Sequence, residues 1–259
     1  MLCRNFSFQN KSDWELIYKW LAKRQEPDLS VEEPVRQILN QVLTNGDNAL
    51  IEYTKKFDCP DYCSSYLSVP VQQIKDAYNQ VPDKDLEIIS EAIDNIYNFH
   101  KKQVQNSWFT TQEEGTVLGQ MIRPVDRAGL YIPGGQGGET PLISSLIMNA
   151  VPALVAGVKS ISLVSPPDKQ GLLNPYILAT ARILGLENIY AVGSAWAIAA
   201  LAFGTQTIPA VDVIAGPGNI FVTTAKRLLV GRVGIDMIAG PSEIAILADK
   251  SANPAWLAA

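Results

Sequence analysis

Two copies of Ile-Ala-Gly-Pro, Ile214 to Pro217 and Ile238 to Pro241, each close a short apolar run, and each is followed by a small polar side chain, Asn219 or Ser242. An apolar strand that stops in a Gly-Pro turn is how an open α/β sheet sets ligand contacts at the carboxyl edge of its strands. Asn219 can cap the helix that follows or turn its amide toward a ligand, and Ser242 can be a turn residue or a contact. A third stretch, Gly134-Gly135-Gln136-Gly137-Gly138, lies between an apolar strand and a helix. Its amides can face an anion or serve a plain crossover. The spacing is not that of the dinucleotide fingerprint, because Thr140 stands where the last glycine belongs, and no lysine makes it a P-loop.

Other chemistry is excluded. His100 is the single histidine, so no Ser-His-Asp arrangement exists. It falls on an apolar helical stripe near a helix end, which reads as a packed, hydrogen-bonded core residue. Cys3, Cys59 and Cys63 are too few for a disulfide framework. Cys59 and Cys63 are half of a metal site with no second pair, and read as loop thiols.

The elements that position these residues change along the chain. Helices are expected over Asp13 to Lys23, from a Ser30/Glu33 capping box through Leu43, from an Asp47 cap through Phe57, over Val71 to Tyr78, and from Asp83 to His100. Asp58 to Leu67 reads as a loop. From Thr116 the texture turns to strands, with apolar stretches at Val117 to Ile122 and Gly129 to Ile132. Helices at 144–156, 175–184, 196–202 and 220–229 then alternate with strands at 160–164, 189–192 and 211–214, the signature of βαβ units and a parallel, doubly wound sheet. Gly115 to Arg127 is the expected boundary between the helical part and the sheet.

With 259 residues, 47% of them apolar, the chain has material for two compact domains. A net charge of −5 argues against nucleic acid or anionic membrane as the main partner. No apolar run is long enough to span a membrane, and the amino end has no apolar signal core, which points to the cytoplasm.

In this order, "GLYIPGG", "MNAVPALVAGVKSISLVSPP", "AIAALAFGT", "VIAGPGNIFVTTAKR" and "GIDMIAGPSEIAILAD" resemble the histidinol dehydrogenases, and "GDNALIEYTKKFD" and "NIYNFHKKQ" extend the likeness over nearly the whole chain. The resemblance implies a zinc-containing homodimer that oxidises L-histidinol to L-histidine, a small-molecule substrate, in two NAD-dependent hydride transfers. It implies an α/β fold in which a Rossmann-like NAD domain without the glycine fingerprint, 128–241, is inserted into an incomplete α/β domain made of 1–127, helical at its amino end, and a return segment, 242–259. Tyr131 and Asn219 then correspond to NAD contacts and Ser242 to a substrate contact. A third family contact is the glutamine of "GGAQAIAALA". Here the stretch is Gly193-Ser194-Ala195-Trp196-Ala197, so Trp196 replaces it. An indole that only donates stands for an amide that donates and accepts, which implies weaker NAD binding.

Family members carry their zinc ligands, a Glu-His catalytic pair and a dimer-forming tail beyond the equivalent of Ala259. This chain is therefore expected to be catalytically incomplete by itself, without zinc ligands or a general base. The alternatives are an inactive nucleotide- or partner-binding remnant and a relative acting on another small alcohol. Ile244 to Ala248 is expected to return to the first domain's sheet, leaving an exposed edge or apolar face that promotes association.

Overall fold

The computed structural model describes residues 10–25, 29–135, 141–238, 244 and 246–258. The elements in chain order are α1 (Lys11–Gln25), α2 (Leu29–Asn45), α3 (Asp47–Phe57), α4 (Ser64–Leu67), α5 (Val71–Gln80), α6 (Asp83–His100), β1 (Trp108–Thr111), β2 (Val117–Gln120), β3 (Arg127–Tyr131) and α7 (Ile143–Ala156). They continue with β4 (Ser160–Ser165), α8 (Pro175–Ile183), β5 (Asn188–Ala191), α9 (Ser194–Phe203), β6 (Val213–Ala215), α10 (Ile220–Leu229), β7 (Gly234–Ile235) and α11 (Pro254–Ala258).

Five strands form one sheet in the order β5-β4-β3-β6-β7, with every pairing parallel. The chain moves outward from β3 through β4 and β5, then returns to lay β6 on the other side of β3. This is the doubly wound, Rossmann-like order that the alternation of strands and helices predicts, with its switch point between β3 and β6. In the centre, Leu130 stands beside Leu163 of β4 and Ala215 of β6.

Apolar periodicity decides what covers each face. One core joins Val35, Leu39 and Val42 of α2 to α9 and α10. Helix α9 is apolar all round, and every residue from Ala195 to Leu201 is buried, as such a helix must be. On the opposite core, Leu146, Ile147 and Val151 of α7 meet Ile177 and Leu178 of α8 and Ile74 of α5. An ion pair ties α10 to α2, Arg227 to Glu32 at 2.6 Å. The Arg227 guanidinium, followed by that of Arg36, holds the Glu32 carboxyl below its usual range.

Several local expectations are corrected. Asp47 does not cap α3; Gly46 occupies that position. The Asp47 carboxylate instead accepts from the Thr207 hydroxyl at 2.5 Å, while its own N–H donates to Gln206 Oε1 at 2.8 Å, so it clips α3 to a distant loop. The loop after Phe57 contains the short helix α4. His100 is half-buried rather than in the core: its Nδ1 lies 2.7 Å from Gln103 Oε1, and it borders a surface hollow with Arg123 and Pro152. The helix frays into a 3-10 turn at Lys101, and that turn supplies the polar partner at the surface.

β1 and β2 form an antiparallel hairpin that the sequence pattern only half shows. All eight of its residues are exposed, including Trp108, Phe109, Val117 and Leu118.

Two compact units separate by contact: Leu29–Ile238, holding both sheets, and Met1–Asp28 with Ala239–Ala259. The second unit has α1, where Trp14 and Tyr18 are exposed, and α11, whose Ala255 N–H donates to Asn253 Oδ1 at 3.0 Å. Ile244 and Leu247 are exposed, and no described residue from 244 to 248 belongs to a strand. The return strand expected over Ile244 to Ala248 is therefore not seen among the described residues of that segment. Among the described residues no helix is long and apolar enough to cross a membrane.

Candidate functional site

The carboxyl edges of the central strands open onto one cavity of about 430 Å³. β3 contributes Tyr131 and the turn through Gly135; the loop after β4 contributes Pro166 to Lys169; the turn after β6 contributes Asn219. α3 ends at the same place with Phe57 and Asp58, and α9 begins there with Ser194. The switch point therefore coincides with a cavity, as in other open parallel sheets.

Tyr131 is only 4% exposed, and its hydroxyl accepts the Ser194 N–H at 3.2 Å. Burial pushes that hydroxyl up to about 12. Asn219 performs the capping role: its Oδ1 accepts from the N–H groups of Phe221 and Val222, both at 3.1 Å, and starts α10. It lines the cavity from that position. Both N-terminal helix ends, of α9 and α10, thus border the cavity and bring their positive poles to it.

The turn between β6 and α10 is tightly specified. Gly216 has φ +125°, and a Cβ there would lie 2.0 Å from the Tyr131 carbonyl oxygen. Its N–H donates to Asp236 Oδ2 at 2.9 Å, and its carbonyl accepts from Lys226 Nζ at 3.0 Å. Lys226 also pairs with Asp236 and is 4% exposed. A buried lysine is thus spent on holding one turn and the strand end beside it. The signal was present in the sequence, because Lys226 adjoins Ala225 on the stripe of Val222 and Leu229.

Trp196 does not line the cavity, although the family glutamine that it replaces is a cofactor contact by resemblance. It is 4% exposed, and its Nε1 donates to Thr54 Oγ1 at 3.1 Å. Its ring stacks on Phe57 and Tyr53, each at 5.6 Å between centroids. The indole fills space between α3 and α9, and Phe57 presents the cavity wall in its place. Ser242 and the loop Gln136 to Thr140 lie outside the described residues.

Ser194 is the one described non-glycine residue at positive φ, +52°. The family stretch has glycine at this place, and a side chain there costs about 1 kcal/mol. Ser194→Gly should therefore stabilise the Leu29–Ile238 unit by about 1 kcal/mol, seen as a higher urea midpoint; a lower midpoint would show that the hydroxyl does more than fill space.

A zinc site does not fit what is described. Among the described residues no group of three or more His, Cys, Asp or Glu is placed to hold a metal ion. Cys59 is buried and donates to Lys169 O at 3.3 Å, whereas Cys63 is exposed.

The histidinol dehydrogenase family model matches residues 21–259. Over all 259 residues the chain is 60% identical to the histidinol dehydrogenase of Oleidesulfovibrio alaskensis and 58% identical to that of Nitratidesulfovibrio vulgaris. It covers 60% and 59% of those proteins, and so spans well under two thirds of their length. The crystal structure of histidinol dehydrogenase from Elizabethkingia anophelis superposes with a TM-score of 0.79 at 40% identity, over 93% of this chain and 56% of that one. A doubly wound sheet with a cavity at its switch point, matched in sequence over almost its whole length, places this chain in the histidinol dehydrogenase family.

Proposed function

We propose that this chain carries the NAD-binding part of a histidinol dehydrogenase, a cytoplasmic enzyme of histidine biosynthesis that works as a homodimer. One observation carries the reading: Tyr131 and Asn219, the two residues matched to NAD contacts, border a single cavity at the switch point, between the starts of two helices. The cavity suits a dinucleotide. Helix starts attract the pyrophosphate, Gly216 lets the backbone approach closely, and Phe57 offers a flat apolar wall. Tyr131 and Asn219 would hold NAD here, and the bound cofactor would supply a hydride acceptor for the alcohol carbon of the substrate. This chain's own residues bind and orient the cofactor: Tyr131 through a buried ring fixed by Ser194, and Asn219 from the cap of α10. Ser242 is assigned to the substrate. We place the cofactor domain at 128–241, between 1–127 and 242–259.

Among the described residues no cluster of His, Cys, Asp or Glu could hold zinc, and the residues bordering the cavity bind and orient rather than carry the chemistry. Trp196, turned inward, leaves the cofactor one amide short, so binding is weaker than in relatives that have the glutamine.

Calorimetric titration of the purified 259-residue chain tests the reading. NAD should bind with a dissociation constant in the range of about 0.1 to 1 mM, while histidinol and zinc should give no NAD reduction. Absence of binding at millimolar NAD would overturn the cofactor assignment, and turnover would overturn the assignment of chemistry to other residues.

A further inference from the structure

The cavity wall holds one acidic group with no assigned task. Asp58 directly follows α3, and its N–H and that of Cys59 both donate to Thr54 O at 2.9 Å, closing the helix. A carboxylate there sits at the negative pole of a helix, where charge is disfavoured. Its Oδ2 is buried and has no hydrogen-bond partner among the described residues. Burial pushes the carboxyl up to about 6.

The surrounding groups are committed elsewhere. On its own loop, the Cys59 thiol donates to Lys169 O, and the Tyr62 hydroxyl donates to Ala191 O at 2.5 Å. From β3 and α9, the Tyr131 hydroxyl and the Ser194 N–H bond to each other. The loop after β4 brings Asp168 and Lys169 to the same cavity, yet Lys169 forms no ion pair with Asp58. Asp168 stands after the second strand of the unit, near where a dinucleotide fold has its ribose-binding acid. Its Oδ1 is occupied by the N–H groups of Gln170 and Leu172, at 2.8 and 2.9 Å. A buried acceptor left without a donor costs stability, and a fold retains one where a ligand supplies the donor.

Resting on the NAD reading, we propose that Asp58 is a cofactor contact whose carboxylate accepts a hydrogen bond from a ribose hydroxyl, so that the ribose acid of this cavity arrives from α3 and not from the sheet. Ionised Asp58 is the stronger acceptor, so binding strengthens as pH rises through about 6. The same group opposes folding when charged. Its folded value lies above its unfolded value of 3.8, so its contribution to stability is full below that value and is lost as pH rises through about 6.

Calorimetric titration of NAD into the full chain, from about pH 5 to about pH 8, tests this against Asp58→Asn. The chain itself should bind 5- to 10-fold more tightly at the upper end, with a midpoint near 6. The variant should bind about 10-fold more weakly at the upper end, because a neutral acceptor replaces a charged one, and should lose the pH dependence. Its urea midpoint above about pH 7 should be equal or higher, which shows that it folds. Tight, pH-independent binding by the chain itself, or equal binding by the variant, would overturn the role of Asp58 and leave the NAD reading standing. If the chain binds no NAD at any pH, the NAD reading fails, and this proposal fails with it. Should the variant not fold, the pH profile of the unaltered chain decides by itself.

Discussion

Gly216→Ala should destabilise the Leu29–Ile238 unit by about 4 kcal/mol or more. Two effects act together at this position. With φ at +125°, the backbone occupies a region that L side chains rarely enter, a strain of about 1 to 3 kcal/mol. The added methyl would also stand 2.0 Å from the Tyr131 carbonyl oxygen and 2.9 Å from its carbonyl carbon, which are backbone atoms of the central strand. A flexible side chain could swing away, but β3 cannot, because it pairs with β4 and β6 on both sides. Relief must come from the turn itself, which would break the Gly216 N–H bond to Asp236. At about 2 to 4 °C per kcal/mol for a unit of this size, the melting temperature should fall by roughly 8 to 16 °C. Circular dichroism against temperature reads this directly. A fall of under about 2 °C would mean that the turn has another conformation available.

Lys226→Met is expected to cost about 2 to 4 kcal/mol. Methionine keeps most of the aliphatic stem and removes the ammonium, so the loss is electrostatic rather than a cavity. The Gly216 carbonyl then lacks its donor, and Asp236 loses the cation beside it. The loss lies at the lower end of the usual range for breaking a buried pair because the Asp236 side chain is 30% exposed and keeps the N–H groups of Gly216 and Met237. Denaturation by urea should show the lowered midpoint with an unchanged slope. Adding Asp236→Asn should restore part of the loss, since the unpaired charge goes with it. If the single variant is as stable as the parent, the pair contributes nothing beyond packing.

The large features of this fold are legible in its sequence for physical reasons. Strands such as Ala128 to Tyr131 are continuous apolar runs because both of their faces are covered, and the Ala-rich α9 is buried on every side. The parallel, doubly wound class follows from the alternation of strands and helices, and right-handed crossovers place those helices on the two faces, whereas the order β5-β4-β3-β6-β7 is a finding of the structure. Tyr131 and Asn219 were reachable by resemblance, and Asn219 also by its place between a strand and a helix.

What was not legible depends on distant partners. Asp47 looks like a cap until Thr207 arrives from the far end of the chain. His100 looks like a core residue because its helix stripe continues, but the stripe outruns the surface that covers it. That the Trp196 indole turns inward to Thr54 has no sign in its sequence neighbours, which show only that it stands where the resembled stretch has glutamine. Asp58 closes the stretch "GDNALIEYTKKFD" that carries part of the resemblance, but nothing in that stretch gives it a task; only the closing of the cavity around it makes it unusual. Val117–Gln120 falls within an expected apolar stretch, but its hairpin partner Trp108–Thr111 escapes a reading based on burial because none of the hairpin is buried.

The three-ring stack of Tyr53, Phe57 and Trp196 has an optical consequence. The chain has five tryptophans. Trp14, Trp108 and Trp256 are exposed, Trp20 is half-buried, and Trp196 alone is buried. Its fluorescence is therefore the blue, quencher-shielded component of the total emission. Because Phe57 separates that indole from the cavity by a single ring, the chain carries a native reporter within one aromatic layer of its own cofactor wall.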